Sequence, residues 1–498
     1  MADKQHHQHP DSTHSPLSTS PRDDIFESLS RKDVPFIRRD DPTWRTYAQT
    51  YNQRLYYEPL VIVIPETAQH ISDAVVCASD HGIKVQAKCG GHSYASFSNG
   101  GVDGAMVVHM CNFRGVSVDQ VTGIAKVGGG TRLGPLGRAV WEQGRRALAH
   151  GTCSAVGIGG HYTHGGYGHF SRAWGLAMDQ IVALDVVLAD GSLVHADAAH
   201  YADIFDAMRG AADMIGVAVN FYLQTRPAPV KIVRWELDLA SIAPVVNVDK
   251  AVDAFIHFQE LALDTTLIDA GISFGLVLGP GPWYHVAGVY IGSEESFKSE
   301  MQPKILSSLD HLLQLKSKEL NWIDALKNLA GDDLTVGDTY HEQSNFYAKS
   351  VAIPEPGAPR ESIRDYMNFI ATEGQNQDFG WYAIMDLYGG VGSRINSKDS
   401  SAIYRDRGSM WVVQCQAYVE RDEPFPQEGI PFLVALNKTL ANELSTIGAY
   451  LPYVDSEYDR TTAQHMYYGE ALLARLQAIK GRFDPKNVFS NPHSVQSD

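Results

Sequence analysis

The sequence predicts an α+β fold, with short buried strands and amphipathic helices gathered around more than one core. Three features carry that expectation. Apolar, β-branched runs recur between prolines and glycines, which is how buried strands read. Segments of helical period separate several of them. In the second half aromatic-rich strands follow one another with helices between them, the pattern of a large antiparallel sheet flanked by helices.

Along the chain, Asp24–Ser30 (DIFESLS) predicts a short helix with an acidic start. Pro59 and Pro65 enclose LVIVI, a buried strand, and Glu66–Gly82 has helical periodicity ending on glycine. Ile83–Lys88 is a strand that enters CGGHSYASFSNGG, a loop too glycine-rich for either element. Strands follow at Ala105–Met110, Val116–Asp119 and Ile124–Val127, then a helix, Leu133–Gln143, stopped by Gly144. Residues 150–175 form the densest glycine segment. Ile181–Ala189 turns through Asp190-Gly191 into Ser192–Ala196, a hairpin. Composition changes near Arg226-Pro227-Ala228-Pro229. Beyond it, strands Ile232–Leu237, Ala270–Leu278, Trp283–Ile291, Trp381–Leu387 and Trp411–Tyr418 alternate with helices Val252–Leu263, Glu300–Leu313 and Pro431–Leu444. Tyr467–Lys480 is the last helix.

The 498 residues carry 58 acidic and 41 basic side chains, a net charge of −17, which excludes broad non-specific nucleic-acid binding. Hydrophobic residues at 44% suffice for large cores. No apolar stretch approaches the ~20 residues of a membrane span. The opening MADKQHHQHPDSTHSPLSTSPRDD lacks the basic and apolar regions of a secretory leader. Residues 1–22 therefore read as a disordered polar tail and the protein as intracellular, the alternative being a leader already removed. His6, His7 and His9 belong to that solvated tail. Five cysteines (Cys77, Cys89, Cys111, Cys153, Cys415) include no C-x-x-C pair, so neither a disulfide scaffold nor a structural zinc site is expected.

Glycine is needed where backbone approaches a ligand closely, and loop amides can cradle phosphate. Neither glycine loop has Rossmann or Walker spacing; Gly128-Gly129-Gly130 with Gly134 breaks the G-x-G-x-x-G order. Two reactive side chains sit inside them, His92 in KCGGHSY and Cys153 in HGTCSAVGIGGH. Taken alone they fit a hydrogen-bonded histidine and a small buried cysteine as well as ligands or nucleophiles.

From about Asp24 onward the chain resembles the flavoproteins of the vanillyl-alcohol-oxidase/PCMH fold. Within them it resembles the berberine-bridge-enzyme-like oxidases, with fungal glucooligosaccharide and chitooligosaccharide oxidases the most similar. The segments that carry the likeness are IKVQAKCGGHSY, HGTCSAVGIGGHYTHGGYG, DVVLADGSLVHA, MRGAADMIGVAVNF and YYGEALLARLQAIKGRFDPKNVFSNPHSV. The resemblance implies a PCMH-type FAD-binding domain built from residues 23–228 and closed by 456–498, with a substrate domain over 229–455. It implies FAD held covalently, His92 through a ring nitrogen to the 8α-methyl group and Cys153 through sulfur to carbon 6. Imidazole and thiolate are good nucleophiles and the oxidised ring is an electrophile. Lys88, Gly90, Gly91, Ser93 and Tyr94 are expected to hold pyrophosphate and ring edge, joined by Gly157, Gly160 and His161. Gly166, Ile215 and Tyr468 complete the expected cofactor set. His161, His164 and His169 lack carboxylates for a metal site and are expected to line or support the flavin. Val156, three residues past the cysteine, is small enough to leave room for O₂, the side chain of an oxidase rather than a dehydrogenase.

On the substrate side the resemblance places the catalytic tyrosine at Tyr453 and its acidic hydrogen-bond partner at Asp386. Tyr94, Tyr382, Ile384, Gln414 and Gln416 are the expected substrate contacts, and Trp381 is a further candidate for stacking on a sugar ring. Three departures stand out. Pro452 replaces an asparagine, Ile384 stands where sugar oxidases carry an amide, and Ser28 replaces the cysteine of a secreted-enzyme disulfide. The expected function is hydride transfer from a hydroxyl-bearing carbon to FAD, with O₂ reduced to H₂O₂ and a carbohydrate oxidised to a lactone. Oxidation or cyclisation of a less polar secondary metabolite, a flavin dehydrogenase using another acceptor and a non-catalytic flavin protein are the alternatives. A small-molecule substrate and a monomer complete the expectation.

Overall fold

The computed structural model describes residues 21–265, 268–309, 313–337, 343–396, 400–441, 444 and 447–497. Among the described residues eighteen strands fall into four sheets. The first sheet holds β1 (Phe36–Ile37), β2 (Val61–Val63), β3 (Val85–Lys88) and β4 (Met106–His109) in the order β1-β2-β4-β3, the last three parallel. The second is a five-stranded antiparallel sheet. It is built from β5 (Val116–Val118), β6 (Ile124–Gly128), β8 (Ile181–Val187), β9 (Leu193–Asp197) and β10 (Val217–Gln224), ordered β5-β6-β10-β8-β9. A two-residue pair, β7 (Arg146–Ala147) with β11 (Arg226–Pro227), marks the point where composition changes.

The fourth sheet is the large antiparallel one that the aromatic strands predicted. It contains β12 (Ile232–Asp238), β13 (Ile272–Leu278), β14 (Tyr284–Ile291), β15 (Leu315–Leu320), β16 (Asn345–Pro354), β17 (Gly380–Leu387) and β18 (Ser409–Val419). Their order is β15-β12-β14-β13-β17-β18-β16. Its two faces differ because side chains alternate along a strand. On β17, Trp381, Ala383, Met385 and Leu387 point into a core shared with Trp411, Val413 and Cys415 of β18 and with helices Val248–Leu263, Arg360–Ala371 and Gly429–Ala441. Each large apolar side chain buried there contributes about 1.5–3 kcal/mol. Tyr382, Ile384 and Asp386 take the opposite face, opposite Gln416, Gln414 and Val412 of β18.

Most boundaries differ from the expected ones by a few residues. Three helices depart more. The run expected at Glu300–Leu313 starts at Glu294, passes through a π-helical turn at Phe297–Met301 and ends at Leu306, while residues 310–312 lie outside the described residues. Ser293 caps its start by accepting from the Ser296 amide. The last helix spans Arg460–Phe483, capped by Asp459, and breaks at Gly469, whose φ of 65° no ordinary side chain adopts easily. The helix expected at Pro431–Leu444 is Gly429–Ala441. The first helix opens at Pro21, inside the stretch expected to be a tail, of which residues 1–20 lie outside the described residues.

The C-terminal chain returns to the first sheet. Val85 of β3 bridges Phe489, and buried Lys480 donates to the carbonyls of Met214 and Phe489 and to Asp484. No described helix is long and apolar enough to cross a membrane.

Candidate active site

Strand β3 delivers the first glycine loop and the short helix Ile158–His161 lies within the second; both loops meet at a cavity of about 1380 Å³, counted to its open mouth. The loops touch so closely that a Cβ at Gly90 would lie 2.4 Å from the Gly157 amide nitrogen, and one at Gly157 2.3 Å from that of Gly90. Gly91, His92, Ser93, Val156, Gly157, Gly160, His161 and Tyr468 line the cavity, as expected of a cofactor wall. Asp213, Pro452, Asn491 and His493 join them from distant parts of the chain. Among the described residues Ser98 Oγ and His493 Nδ1 line this cavity buried and without a hydrogen-bond partner, so the wall has polar capacity left for a ligand.

His92 stacks on Tyr51 at 4.4 Å, and burial, helped by the Arg132 charge, pulls its pKa down to about 3. The imidazole is therefore neutral at physiological pH, its nucleophilic form. His161 is held near 3 by burial as well, and its Nε2 accepts from the Gly151 amide at 2.9 Å. His164 differs. Burial opposes its charge, but Asp213 at 3.0 Å outweighs that and leaves its pKa raised. His169 stands away from the cavity wall, with Nδ1 3.2 Å from Ser273 Oγ.

Five expected cofactor residues are placed differently. Lys88 is fully buried and its ammonium donates to the carbonyls of Tyr47 and Gln49 and to Asn99 Oδ1, so it braces the loop instead of reaching a phosphate. Ile215 packs in the apolar core behind the wall. Gly166 lies off the wall; its φ of 85° and a His161 carbonyl 2.6 Å from where a Cβ would stand make it a structural glycine, and its amide donates to Tyr450. Tyr94 lies off that wall, hydrogen-bonded to Gln414 and stacked on Tyr453. Cys153 is half-buried, also outside that lining, and close enough to Tyr94 to add slightly to the burial that raises the Tyr94 pKa.

The substrate side is a band of tyrosines and amides between the second glycine loop and the large sheet. Tyr453 stacks on Tyr94 at 5.2 Å with 12° between the planes, and meets Tyr450 edge-on at 4.8 Å. Tyr94 Oη accepts from Gln414 Nε2 (3.0 Å); Gln414 also donates to Gln416 Oε1 (3.3 Å), which accepts from Tyr382 (2.8 Å). Ile384 sits opposite Gln414 on the same face. Asp386 lies in register with Gly275 of β13, where a Cβ would come within 2.7 Å of its carboxylate. Burial pushes its pKa up to about 7. Tyr453 is pushed well above the usual 10, by burial first and then by Tyr94 and Asp386. No hydrogen bond joins Asp386 to Tyr453 among the described residues, which corrects the direct pairing expected. Trp381 is buried in the core and donates to the Gly374 carbonyl, so it is no sugar platform. Tyr167, Tyr388 and Tyr450 were not anticipated; Tyr450 Oη accepts from the Gly166 and Tyr167 amides, and Tyr167 stacks on Tyr388 at 4.3 Å. The tyrosine-rich run GAYLPYVDSEY was the signal for Tyr450.

Glycine-cradled cavity, neutral buried histidine and polar sheet face together fit a flavoprotein. Residues 59–197 match the family model for an FAD binding domain, and 448–496 the one described as berberine and berberine like. The chain is 33% identical over 491 residues to a chitooligosaccharide oxidase of Gibberella zeae, covering 97% of this chain and 96% of that one. It is 35% identical to a xylooligosaccharide oxidase of Thermothelomyces thermophilus, covering 95% and 94%. It superposes with a TM-score of 0.89, at 30% identity and covering 95% of this chain and 99% of that one, on the glucooligosaccharide oxidase of Acremonium strictum, whose flavin is a 6-S-cysteinyl, 8α-N1-histidyl FAD. The chain belongs to the berberine-bridge-enzyme-like family of FAD-linked oxidases.

Proposed function

We propose that this protein is an FAD-dependent oxidase that takes a hydride from the anomeric carbon of an oligosaccharide, yielding a lactone, with O₂ reduced to H₂O₂. The observation that carries the reading is the hydrogen-bonded chain from Tyr382 through Gln416 and Gln414 to Tyr94, set beside Tyr453 and Asp386. Its amides and phenols offer hydrogen-bond donors and acceptors of the kind a sugar's hydroxyls pair with. Residues 23–228 and 456–498 then hold the flavin, and 229–455 the substrate.

When bound, FAD supplies the hydride acceptor and, once reduced, the electron donor to O₂. His92 and Cys153 are the attachment points in this reading, and the neutral state of His92 supports its part. Gly90 and Gly157 let the two loops pack against each other at the cofactor wall, and the small Val156 side chain on that wall fits oxygen access to the ring. Tyr453 takes the substrate's hydroxyl proton. A neutral phenol is a poor base, so Tyr453 must release its own proton as it takes the substrate's; Asp386, near 7 and close enough to raise the Tyr453 pKa though not hydrogen-bonded to it, is matched to receive that proton at physiological pH. Tyr94 and Tyr450 fix the ring plane of Tyr453.

A second reading rests on Ile384, which puts an apolar side chain in the middle of the polar face and favours a less polar alcohol. A panel read by H₂O₂ release separates the two: turnover of chito-, xylo- or cello-oligosaccharides supports the first, silence on every sugar with turnover of a lipophilic alcohol the second. Reduced enzyme that survives in air for minutes would overturn both as oxidase assignments. Colour that stays with denatured, filtered chain and leaves it in the H92A/C153A double variant establishes the linkages.

A further inference from the structure

A second cleft, of about 930 Å³ and open to solvent, shares no lining residue with the flavin cavity. Arg209, Arg226, Arg394 and Arg407 face it, against a single aspartate, Asp179. In a chain of net charge −17, so local a positive excess is unusual. Two of the four guanidiniums are neutralised. Arg407 donates through both terminal nitrogens to Asp179, at 2.8 and 2.5 Å, and Arg209 donates to Asp206 at 2.7 Å. Asp206 also pairs with Arg475, so neither carboxylate has capacity to spare. Arg226 and Arg394 have no carboxylate partner among the described residues. The Arg226 guanidinium lies over the Trp174 ring at 4.8 Å from its centroid, and its Nε is buried with no hydrogen-bond partner.

Like charges brought together across a cleft repel unless an anion lies between them. The charges are also fixed in direction: Trp174 pins Arg226 by a cation–π contact and by stacking on Phe170 at 5.3 Å. Ser400 adds a hydroxyl. Its oxygen already accepts from Arg407 at 3.0 Å, which leaves its own proton to donate. Guanidiniums converging from separate segments, with a hydroxyl beside them, match the several oxygens of a tetrahedral oxyanion better than one planar carboxylate.

We propose that the cleft between Arg226, Arg394 and Ser400 binds a phosphoryl dianion, either free phosphate or a phosphate monoester whose organic part occupies the remaining space. The site is independent of the oxidation proposed above. The test is titration calorimetry on the FAD-loaded protein with inorganic phosphate, then with glycerol 2-phosphate, at ionic strength held constant with chloride. Saturable one-to-one binding is expected. It should weaken about tenfold in R394Q, which removes one charge-assisted contact, and by a similar factor in R226Q. Arg394 is exposed, so R394Q should fold and keep its basal turnover, and it decides the matter if R226Q loosens the packing on Trp174. Binding of the ester alone would identify an ester ligand and support the site. Absence of binding by both ligands, equal affinity in R394Q and the parent, or an equal heat from chloride would overturn it.

Discussion

Asp386 is a carboxyl group with no ion-pair partner among the described residues, facing a ring of tyrosines, and burial alone accounts for its pKa of about 7. Two consequences follow in opposite directions. As a proton acceptor it must be ionised, so flavin reduction by substrate should rise with pH through about 7 and level off above it. Stopped-flow reduction rates across pH 5–9 check this, and a flat profile would remove Asp386 from the proton path. Ionisation also costs stability, because the folded pKa lies above the ordinary 3.8 of the unfolded chain. The cost is absent below about pH 4 and grows as pH rises toward 7. Asp386→Asn should therefore melt a few degrees higher than the parent at pH 8 and at the same temperature near pH 4, while losing most activity. Tyr453→Phe should lower the reduction rate by about 10²–10⁴, the usual worth of a general base, and keep its flavin. Both residues were legible in the sequence through the segments around them. Lys88 was not: a lysine beside glycines has the right chemistry for phosphate, but sequence spacing does not say that its ammonium turns inward to two carbonyls and an amide.

Strands β17 and β18 act as one device. Period-two alternation sends their tryptophans to the core and their polar residues to the cleft, so core packing fixes where Tyr382, Gln414 and Gln416 stand. That much could be read from WYAIMDL and WVVQCQAY. The hydrogen-bonded chain between them could not, because cross-strand register is a tertiary fact. Strand β16 was missed since NFYAKSVAIP is buried on both faces for most of its length and shows no alternation. Strand β15, LKSKEL, is an edge strand whose charges read as a solvated surface. The prediction at this scale concerns the chain of amides. Gln414→Leu removes the donor to Tyr94 and the link to Gln416, so KM for an oligosaccharide should rise about tenfold or more with a smaller change in kcat. A lipophilic alcohol should be turned over no worse, and steady-state kinetics on both substrates show which applies.

The whole molecule must hold the large sheet against the segment that carries Tyr453, since the substrate face and the flavin wall meet there. Asp455, two residues past Tyr453, is the joint. Its carboxylate, buried with 2% of its side chain exposed, accepts from Lys349 of β16 at 2.6 Å and from Tyr347 at 2.9 Å, while its amide donates to Tyr467 of the last helix. Arg54, from the first part of the chain, adds donors to Ser456 and Glu457 and to the Phe346 carbonyl. The tyrosine-rich run around Asp455 did not reveal this, because its partner Lys349 lies 106 residues away in a segment with no recognisable motif. Removing one partner strands the other charge in protein, so Asp455→Ala should destabilise the fold by about 3–5 kcal/mol and loosen Tyr453 with it. Replacing both, as Lys349→Met with Asp455→Leu, removes the two desolvation costs together and should recover most of that stability. Chemical denaturation of the parent, single and double variants measures the difference. If the joint also positions Tyr453, the double variant will regain its melting transition but not the full rate of flavin reduction, because an apolar contact restores packing without restoring the hydrogen bonds that orient the segment.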